Sequence, residues 1–337
     1  VGNRLEFNVR GYSHRHYRRG QDSAALLLYE QSNRNIVAWN AATHGGDGLF
    51  LWAGQSTMDT GLGGANDNVF YGNDFSFAPT NAMEATFSRN TFLGNRATGS
   101  DYGLWGGYSF ESKVIGNCFG KNRVGIAIEH GQDNRVAANH FDGDSLAIRL
   151  WGDSIQPSDW GYPKHRDTRS RGYQIEDNVF AGNRLTVSAV NTTGWSLERN
   201  DSLGSAGASC SLGRVPAGYR NLIPKITPGT PRIPASQFPT RDRSAMVVDD
   251  WGPFDWKSPK LWPVDSSRAV PLRLAVVGPA GRWRIVDRRS VSSVSGEAGR
   301  VGDTLTVTPS GGDWELTLEY RGGVTVSPRG ERRAASV

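Results

Sequence analysis

The chain of 337 residues has few cysteines, little net charge and no long apolar run. The absence of any run of about 18 apolar residues excludes a membrane-spanning helix. Two cysteines are too few for a disulfide framework, and we expect Cys118 and Cys210 to be buried free thiols rather than a disulfide or a metal site. The net charge of +5 is spread thinly, and its basic clusters at 15–19 and 164–166 lack any nucleic-acid-reading motif. We therefore expect no nucleic-acid partner.

A repeated unit, Asn-x-Phe-x-x-Asn, runs through the first two thirds of the chain. Clear copies begin at Asn68, Asn90, Asn117 and Asn178, and the copy at Asn139 ends in Asp144. Looser copies begin at Asn3, Asn35 and Asn200. Several starts are 22 residues apart and the others are further apart, which indicates a solenoid whose coils carry insertions. The chain begins at Val1 with the repeat already under way, so we expect a mature form or an excised piece that could lack upstream coils.

Short alternating segments separate the Asn units, as in Gly48–Trp52, Gly125–Glu129 and Ala147–Trp151. Their period of two predicts strands with Leu and Ile facing inward. Two such strands in each coil predict coils that stack in parallel. We assign the Asn residues to coil corners, where Asn tolerates the left-handed conformation and stacked amides bond along a column.

The Asn units and the Gly-Ile-x-Ile strands resemble the parallel β-helix repeats of the pectin-lyase-like superfamily, in particular its carbohydrate-binding and sugar-hydrolysing proteins. The resemblance implies an all-β chain: a right-handed parallel β-helix of about eight coils over residues 1–205. We expect a Pro-, Gly- and Trp-rich linker or covering segment at 206–270, a small antiparallel β-sandwich at 271–326 and a frayed tail at 327–337. The superfamily includes hydrolases, lyases and plain scaffolds, so the resemblance specifies the fold and leaves the activity open. It also implies a secreted, periplasmic or cell-surface protein.

Alignment of the inward Leu and Ile residues places the outward residues in two columns. The first column reads Leu27, Phe50, Glu84, Trp105, Ala127, Arg149, Ser188, and the second reads Tyr29, Trp52, Thr86, Gly107, Glu129, Trp151, Val190. Aromatic side chains on successive coils form an apolar ridge, which a soluble protein normally covers or uses. We predict that a polysaccharide or oligosaccharide stacks on Tyr29, Phe50, Trp52, Trp105 and Trp151. The insertions at 54–67 and 154–171 emerge beside this face, either as the walls of a cleft or as its cover.

Carboxylates in these columns suggest hydrolysis. We predict that Glu84 and Glu129 act as the acid and base of an inverting glycosidase, which needs two widely separated carboxyl groups. Arg149 would clamp a uronic acid carboxylate or stabilise developing charge in catalysis, and His130 would act as an acid or base or hold its turn. His44, Asp47, Asp101 and Asp153 flank strand ends and are candidates for substrate binding, or simply turn formers.

Two further functions stay open. A polysaccharide lyase would pair Arg149 with calcium, but no tight cluster of three acids is visible on the strands, so we expect no metal or other cofactor. A non-catalytic glycan-binding or cell-surface scaffold module would keep the aromatic ridge and need no carboxylate pair. The sequence is silent on the oligomeric state.

Overall fold

We describe the fold from a computed structural model of the chain. The structure describes residues 1–6, 8, 24–157, 159–204, 210–227, 260–264, 270–277, 280–326 and 332–336. Three parallel sheets, to which successive coils contribute their strands, form the predicted right-handed β-helix. Among the described residues no helix has the length and apolar character needed to cross a membrane.

Sheet 1 contains seven strands in chain order: β1 (Leu26–Tyr29), β3 (Leu49–Trp52), β5 (Asn81–Ala85), β8 (Tyr102–Trp105), β11 (Val124–Glu129), β14 (Leu146–Trp151) and β18 (Leu185–Val190). Sheet 2 also contains seven: β2 (Ile36–Ala38), β4 (Val69–Tyr71), β6 (Thr91–Leu93), β9 (Lys113–Ile115), β12 (Arg135–Ala137), β16 (Gln174–Glu176) and β20 (Ser196–Glu198). Sheet 3 contains five: β7 (Arg96–Thr98), β10 (Cys118–Gly120), β13 (His140–Asp142), β17 (Val179–Ala181) and β21 (Asp201–Leu203). A two-stranded sheet, β15 (Ser170–Arg171) with β19 (Thr192–Thr193), lies beside them, and the insertions carry helices α1 (Gln55–Thr60) and α2 (Tyr162–His165).

Inward-facing side chains of the three sheets fill the interior of the β-helix, and equivalent residues of successive coils stack on one another. Phe70 and Phe92 stack in sheet 2 with ring centroids 5.0 Å apart, and Phe119, Phe141 and Phe180 stack in sheet 3 at 5.1 Å. The glycine that begins several sheet 1 strands has a steric cause: a Cβ on Gly125 would lie 2.7 Å from the backbone oxygen of Ala147 on the next coil. The aromatic and glycine positions of the repeat therefore both serve coil packing.

An amide ladder fixes the corner between sheets 2 and 3. Eight asparagines form it: Asn3, Asn40, Asn73, Asn95, Asn117, Asn139, Asn178 and Asn200. The backbone N–H and the Nδ2 of each Asn donate to the Oδ1 of the next, as from Asn95 to Asn117 at 2.8 and 3.0 Å. The predicted structural role of these amides is confirmed.

The ladder also corrects our interpretation of the repeat. Asn68 and Asn90 begin units that lie on sheet 2, whereas Asn117, Asn139 and Asn178 begin units on sheet 3. The interval of 27 residues from Asn90 to Asn117 therefore arises because the unit moves from sheet 2 to sheet 3, and not because the coil is longer. The real coil lengths are the ladder separations, which are 22 where no insertion occurs and reach 39 between Asn139 and Asn178.

The expectation of two free thiols is wrong, because Cys118 and Cys210 form a disulfide. Cys118 alternates with the inward Phe119, so its side chain stands on the outer face of sheet 3 instead of in the core. Residues 210–227, which we call the strap, then run across the outer face of sheet 2 and include a 3-10 helix at Ala217–Leu222. Val215 of the strap packs against Tyr71, Leu93 and Ile115. This stretch of the expected linker is thus a covering segment, while 228–259 and 265–269 lie outside the described residues.

The C-terminal unit has two four-stranded antiparallel sheets, in agreement with the predicted small β-sandwich. Its strands are β22 (Lys260–Pro263), β23 (Leu272–Val277), β24 (Gly281–Arg289), β25 (Val291–Val294), β26 (Ala298–Arg300), β27 (Thr304–Pro309), β28 (Glu315–Val326) and β29 (Arg332–Ser336). Val276, Trp283 and Leu305 are buried in its core. Residues 332–336 belong to the tail expected to fray, but they pair with β28, whose long edge offers them backbone partners. The domain boundaries as a whole stay predictions.

Asp144 occupies an Asn position of the repeat and makes stability pH-dependent. Its Oδ1 accepts the N–H of Asn122 at 2.8 Å, but its Oδ2 is buried without a hydrogen-bond partner. Burial raises the pKa of Asp144 to about 7, against the lowering effect of the Asn122 hydrogen bonds. An unfolded Asp ionises near pH 4, so between about pH 4 and 7 the folded chain retains a proton that the unfolded chain has lost. The free energy of unfolding therefore falls as the pH rises through this window.

We predict that Asp144→Asn stabilises the β-helix, and does so more at pH 8 than at pH 4. The new Nδ2 would donate a hydrogen bond to the carbonyl oxygen of Phe119, as the Nδ2 of Asn122 donates to the carbonyl oxygen of Ala97 one coil earlier. Thermal unfolding at the two pH values measures the effect, at about 2–4 °C for each kcal/mol in a unit of this size. The exposed Asp159→Asn is the control and should change neither melting temperature. Equal gains at both pH values, or a loss, would contradict the assignment.

Candidate functional site

The outer face of sheet 1 carries the predicted columns. Strand pairing aligns Leu27, Phe50, Glu84, Trp105, Ala127, Arg149 and Ser188 in one row across all seven strands. In the second row Tyr29 pairs with Trp52, and Glu129 pairs with Trp151, which pairs with Val190. The register that the sequence predicted is therefore the one found.

Six apolar residues form one cluster on this face, which we call the outer patch: Tyr102, Trp105, Val124, Ala127, Leu146 and Trp151. Trp105 and Trp151 meet edge to face across the small Ala127, with ring centroids 5.5 Å apart. Tyr102 meets Trp105 in the same way at 5.0 Å. Tyr102 and Trp105 are half-buried, so their rings are accessible, whereas Trp151 is only 8% exposed.

Two arginines lie on the rings of the outer patch. The guanidinium carbon of Arg149 is 4.3 Å from the ring centroid of Trp151, and that of Arg123 is 4.4 Å from Tyr102. Within the described residues no ion pair is found for either guanidinium; Arg123 is exposed and Arg149 is half-buried. Sequence reasoning found Arg149 and missed Arg123 and Tyr102. Arg123 and Tyr102 come before the alternating part of their strands, so the column alignment did not include them. The signal that could have found them is the pairing of Val124, the neighbour of Arg123, with Tyr102.

The two predicted catalytic carboxylates lie in different surroundings. Glu84 is 4% exposed, and its Oε2 accepts a hydrogen bond from Asn81 Nδ2 at 2.6 Å. Glu129 is half-buried at the end of β11. Phe50, predicted to bind substrate, is also buried at 9% exposure, while Tyr29 is exposed and Trp52 half-buried, with their rings 5.2 Å apart.

Glu129, His130 and Asp153 come together at the corner that follows sheet 1. One potential ligand atom from each lies within 4.8 Å of the other two. The Nδ1 of the buried His130 is 2.7 Å from the carbonyl oxygen of Thr168, and its Nε2 accepts the backbone N–H of Asp153 at 3.1 Å. These contacts indicate the tautomer that carries its proton on Nδ1.

An aromatic column leads to this cluster. Phe87, Tyr108 and His130 occupy the same corner on successive coils in the left-handed conformation, and their rings stack at 4.7 and 4.9 Å. Burial raises the pKa of Tyr108, and the negative charges of Glu129 and Asp153 add to this effect. Its hydroxyl donates to Gln156 Oε1 at 3.0 Å.

The insertions cover this corner. Met58 from the first insertion and Tyr162 from the second are buried against Phe87 and Tyr108, with Trp160 beside them. A Cβ on Gly161 would lie 1.8 Å from the backbone oxygen of Asp59, so the two insertions touch. They therefore pack together over the aromatic column at the edge of sheet 1.

The remaining predicted residues lie at coil corners. His44 is buried and stacks on Phe77 at 4.9 Å, and its backbone is left-handed. The Oδ1 of the fully buried Asp47 accepts the backbone N–H of Asn81 at 3.0 Å. Asp101 is half-buried, and its carbonyl oxygen accepts the N–H of Val124 at 2.9 Å. These contacts position the strands on either side.

A family model described as "Periplasmic copper-binding protein (NosD)" matches residues 7–203. No curated protein matches the chain. The description agrees with the predicted secreted or periplasmic location, and a disulfide is typical of such oxidising compartments. It is at odds with the expectation of no cofactor, since the family is described as copper-binding. Because the match covers more than half of the chain and nearly all of the coils, the chain belongs to the NosD family and is a secreted or periplasmic right-handed β-helix protein.

Proposed function

We propose that this protein binds an acidic glycan on the outer patch of sheet 1. The observation that carries the proposal is the accessible pair of rings, Tyr102 and Trp105, with two arginines beside them: Arg123 lies on Tyr102, and Arg149 lies on the buried ring of Trp151. Aromatic rings offer flat apolar surface to the faces of sugar rings. Guanidinium groups bind carboxylate and sulfate groups in a two-point geometry. Together they favour an anionic sugar over a neutral one.

Binding without turnover fits this face better than the predicted hydrolysis. An inverting glycosidase needs both carboxyl groups at the substrate, with room for a water molecule between them. Glu84 is instead buried and bonded to Asn81, which argues against direct contact with a sugar. The carboxylate pair stays a prediction, and we place it after the glycan-binding function.

We predict that Trp105→Ala and Arg149→Gln each weaken the binding of acidic oligosaccharides about tenfold, a change of about 1.4 kcal/mol. Titration calorimetry against uronic acid oligosaccharides and their neutral counterparts measures this. Affinity for the acidic series should fall with added salt, because the arginines are solvent-accessible. The matched control is Trp195→Ala, a 40% exposed tryptophan on the last coil, outside the outer patch.

Equal affinity for neutral and acidic oligosaccharides, or equal losses with Trp195→Ala, would contradict the proposal. A turnover assay runs alongside. Release of reducing ends by the parent protein that Glu129→Gln and Glu84→Gln both abolish would restore the hydrolase prediction, and formation of unsaturated ends would indicate a lyase.

A second candidate function is divalent metal binding by Glu129, His130 and Asp153. The family description names copper, and the donor set of one imidazole and two carboxylates suits Cu²⁺ or another borderline divalent cation. Cu⁺ prefers thiolate and thioether ligands, and the two cysteines are joined in a disulfide. The contact of His130 Nδ1 with Thr168 is the orienting contact expected of a histidine ligand, but a metal would have to displace the N–H of Asp153 from Nε2. The chemistry of the three donors fits such an ion, which would take the place of that N–H at Nε2.

We predict that Cu²⁺ raises the melting temperature of the parent protein. Asp153→Asn should weaken copper affinity at least about tenfold, because the loss of a group that only orients a metal ligand already weakens affinity by about that factor. Asp153 is exposed, so this change leaves the fold intact. His165→Gln, on the exposed side of α2, is the control and should leave the affinity unchanged. Unchanged affinity in Asp153→Asn and His130→Gln would place any bound copper elsewhere.

A further inference from the structure

The candidate metal cluster adjoins the outer patch of sheet 1. Glu129 pairs with Trp151 across β11 and β14, and Asp153 follows Trp151 by two residues along the chain. Neighbouring strands lie about 4.8 Å apart, so the backbone of Glu129 is one strand away from that of a patch residue. Ala127, another residue of the patch, precedes Glu129 by two positions and therefore lies on the same face of β11. The cluster thus lies at one end of the outer patch.

The charges at this end of the patch oppose one another. Arg149, the cation expected to bind an acidic sugar here, has its guanidinium carbon 4.3 Å from the ring centroid of Trp151. Glu129 is half-buried and Asp153 is exposed, so both carboxylates also reach solvent beside this ring. Burial is the main cause of the raised pKa of Tyr108, and the negative charges of both carboxylates add to it. Because the Debye length is about 8 Å at physiological salt, these carboxylates repel the same anion that Arg149 attracts.

A divalent cation at the cluster would remove this opposition. Donor atoms of Glu129, His130 and Asp153 lie within 4.8 Å of one another. A histidine that ligates a metal is neutral, so the charge of the occupied cluster is that of the ion and the two carboxylates. The positive charge of Cu²⁺ would cancel the charge of both carboxylates, which reverses the balance at this end of the patch in favour of Arg149.

We propose that Glu129 and Asp153 make the binding of an acidic glycan depend on a divalent cation. In the metal-free protein the two carboxylates repel the glycan at the Trp151 end of the outer patch, and a cation bound at the cluster ends that repulsion. The inference rests on both functions proposed above and goes beyond them, because neither one requires the two ligands to affect each other.

The test measures binding of the protein to immobilised uronic acid oligosaccharides and their neutral counterparts by surface plasmon resonance, once with a chelator and once with Cu²⁺. Cu²⁺ should raise the affinity of the parent protein for the acidic series at least about fivefold, the low end of typical coupling between two ligands, and leave the neutral series unchanged. With the chelator, Asp153→Asn and the double variant Glu129→Gln/Asp153→Asn should bind the acidic series more tightly than the parent does. The double variant should not respond to Cu²⁺. Asp201→Asn is the matched control, because Asp201 is exposed on β21 of sheet 3, and it should behave as the parent.

A copper-dependent gain that the double variant lacks, together with its tighter metal-free binding, would establish the coupling. Equal affinity with chelator and with Cu²⁺, in a parent protein that binds both ligands, would overturn it and leave both proposed functions standing. A gain that persists in the double variant would come from copper bound to the oligosaccharide itself and would also overturn the coupling.

Failure of either proposed function gives a different result. Equal affinity for acidic and neutral oligosaccharides in both conditions would overturn the glycan function, and a melting temperature that Cu²⁺ does not raise would overturn the metal site. Each of these results removes the coupling as well. The melting temperatures with chelator show whether each variant is folded, and the single change at the exposed Asp153 keeps the test decisive if the double variant is not.

Discussion

The amide ladder determines where every other side chain of the β-helix lies. Each Oδ1 from Asn40 to Asn200 accepts two hydrogen bonds from the preceding coil, one from a backbone N–H and one from an Nδ2. These groups are largely buried, so a slip of one residue would leave several of them unpaired, at about 1–3 kcal/mol each. The ladder therefore fixes the register of successive coils. Insertions of different length leave a coil where they do not disturb the ladder, and the insertions at 54–67 and 154–171 leave at the corner after sheet 1.

This fixed register creates surfaces that no single coil has. The outer patch uses residues from β8, β11 and β14, and its rings meet because Trp105, Ala127 and Arg149 are held side by side. Ala127 matters by being small, since it lets Trp105 and Trp151 touch across it. On sheet 3 the same stacking aligns Cys118, His140 and Val179 in one row, and the disulfide attaches the strap to this row. One scaffold thus presents two chemically different faces.

Periodic features were predictable from the sequence, because each coil repeats the same packing problem. The columns of sheet 1 followed from the inward Leu and Ile residues. The sheet to which each Asn unit belongs could not be predicted, because the same Asn-x-Phe-x-x-Asn pattern occurs on sheet 2 and on sheet 3. The Cys118–Cys210 bond and the cluster of His130 with Asp153 depend on the strap and on an insertion, which have no period. The burial of Glu84 depends on contacts beyond its own column, so its outward position suggested an exposure that it does not have.

The central claim is that the outer patch, and not another face, receives the glycan. Hydroxyl-radical footprinting with and without an acidic oligosaccharide tests it most directly, because the oxidation of each aromatic side chain reports its own exposure. The account predicts that the ligand slows oxidation of Tyr102 and Trp105 and leaves Trp195 on the last coil and Tyr219 on the strap unchanged. Protection of Trp195 or Tyr219, with Trp105 oxidised at the same rate as before, would contradict it.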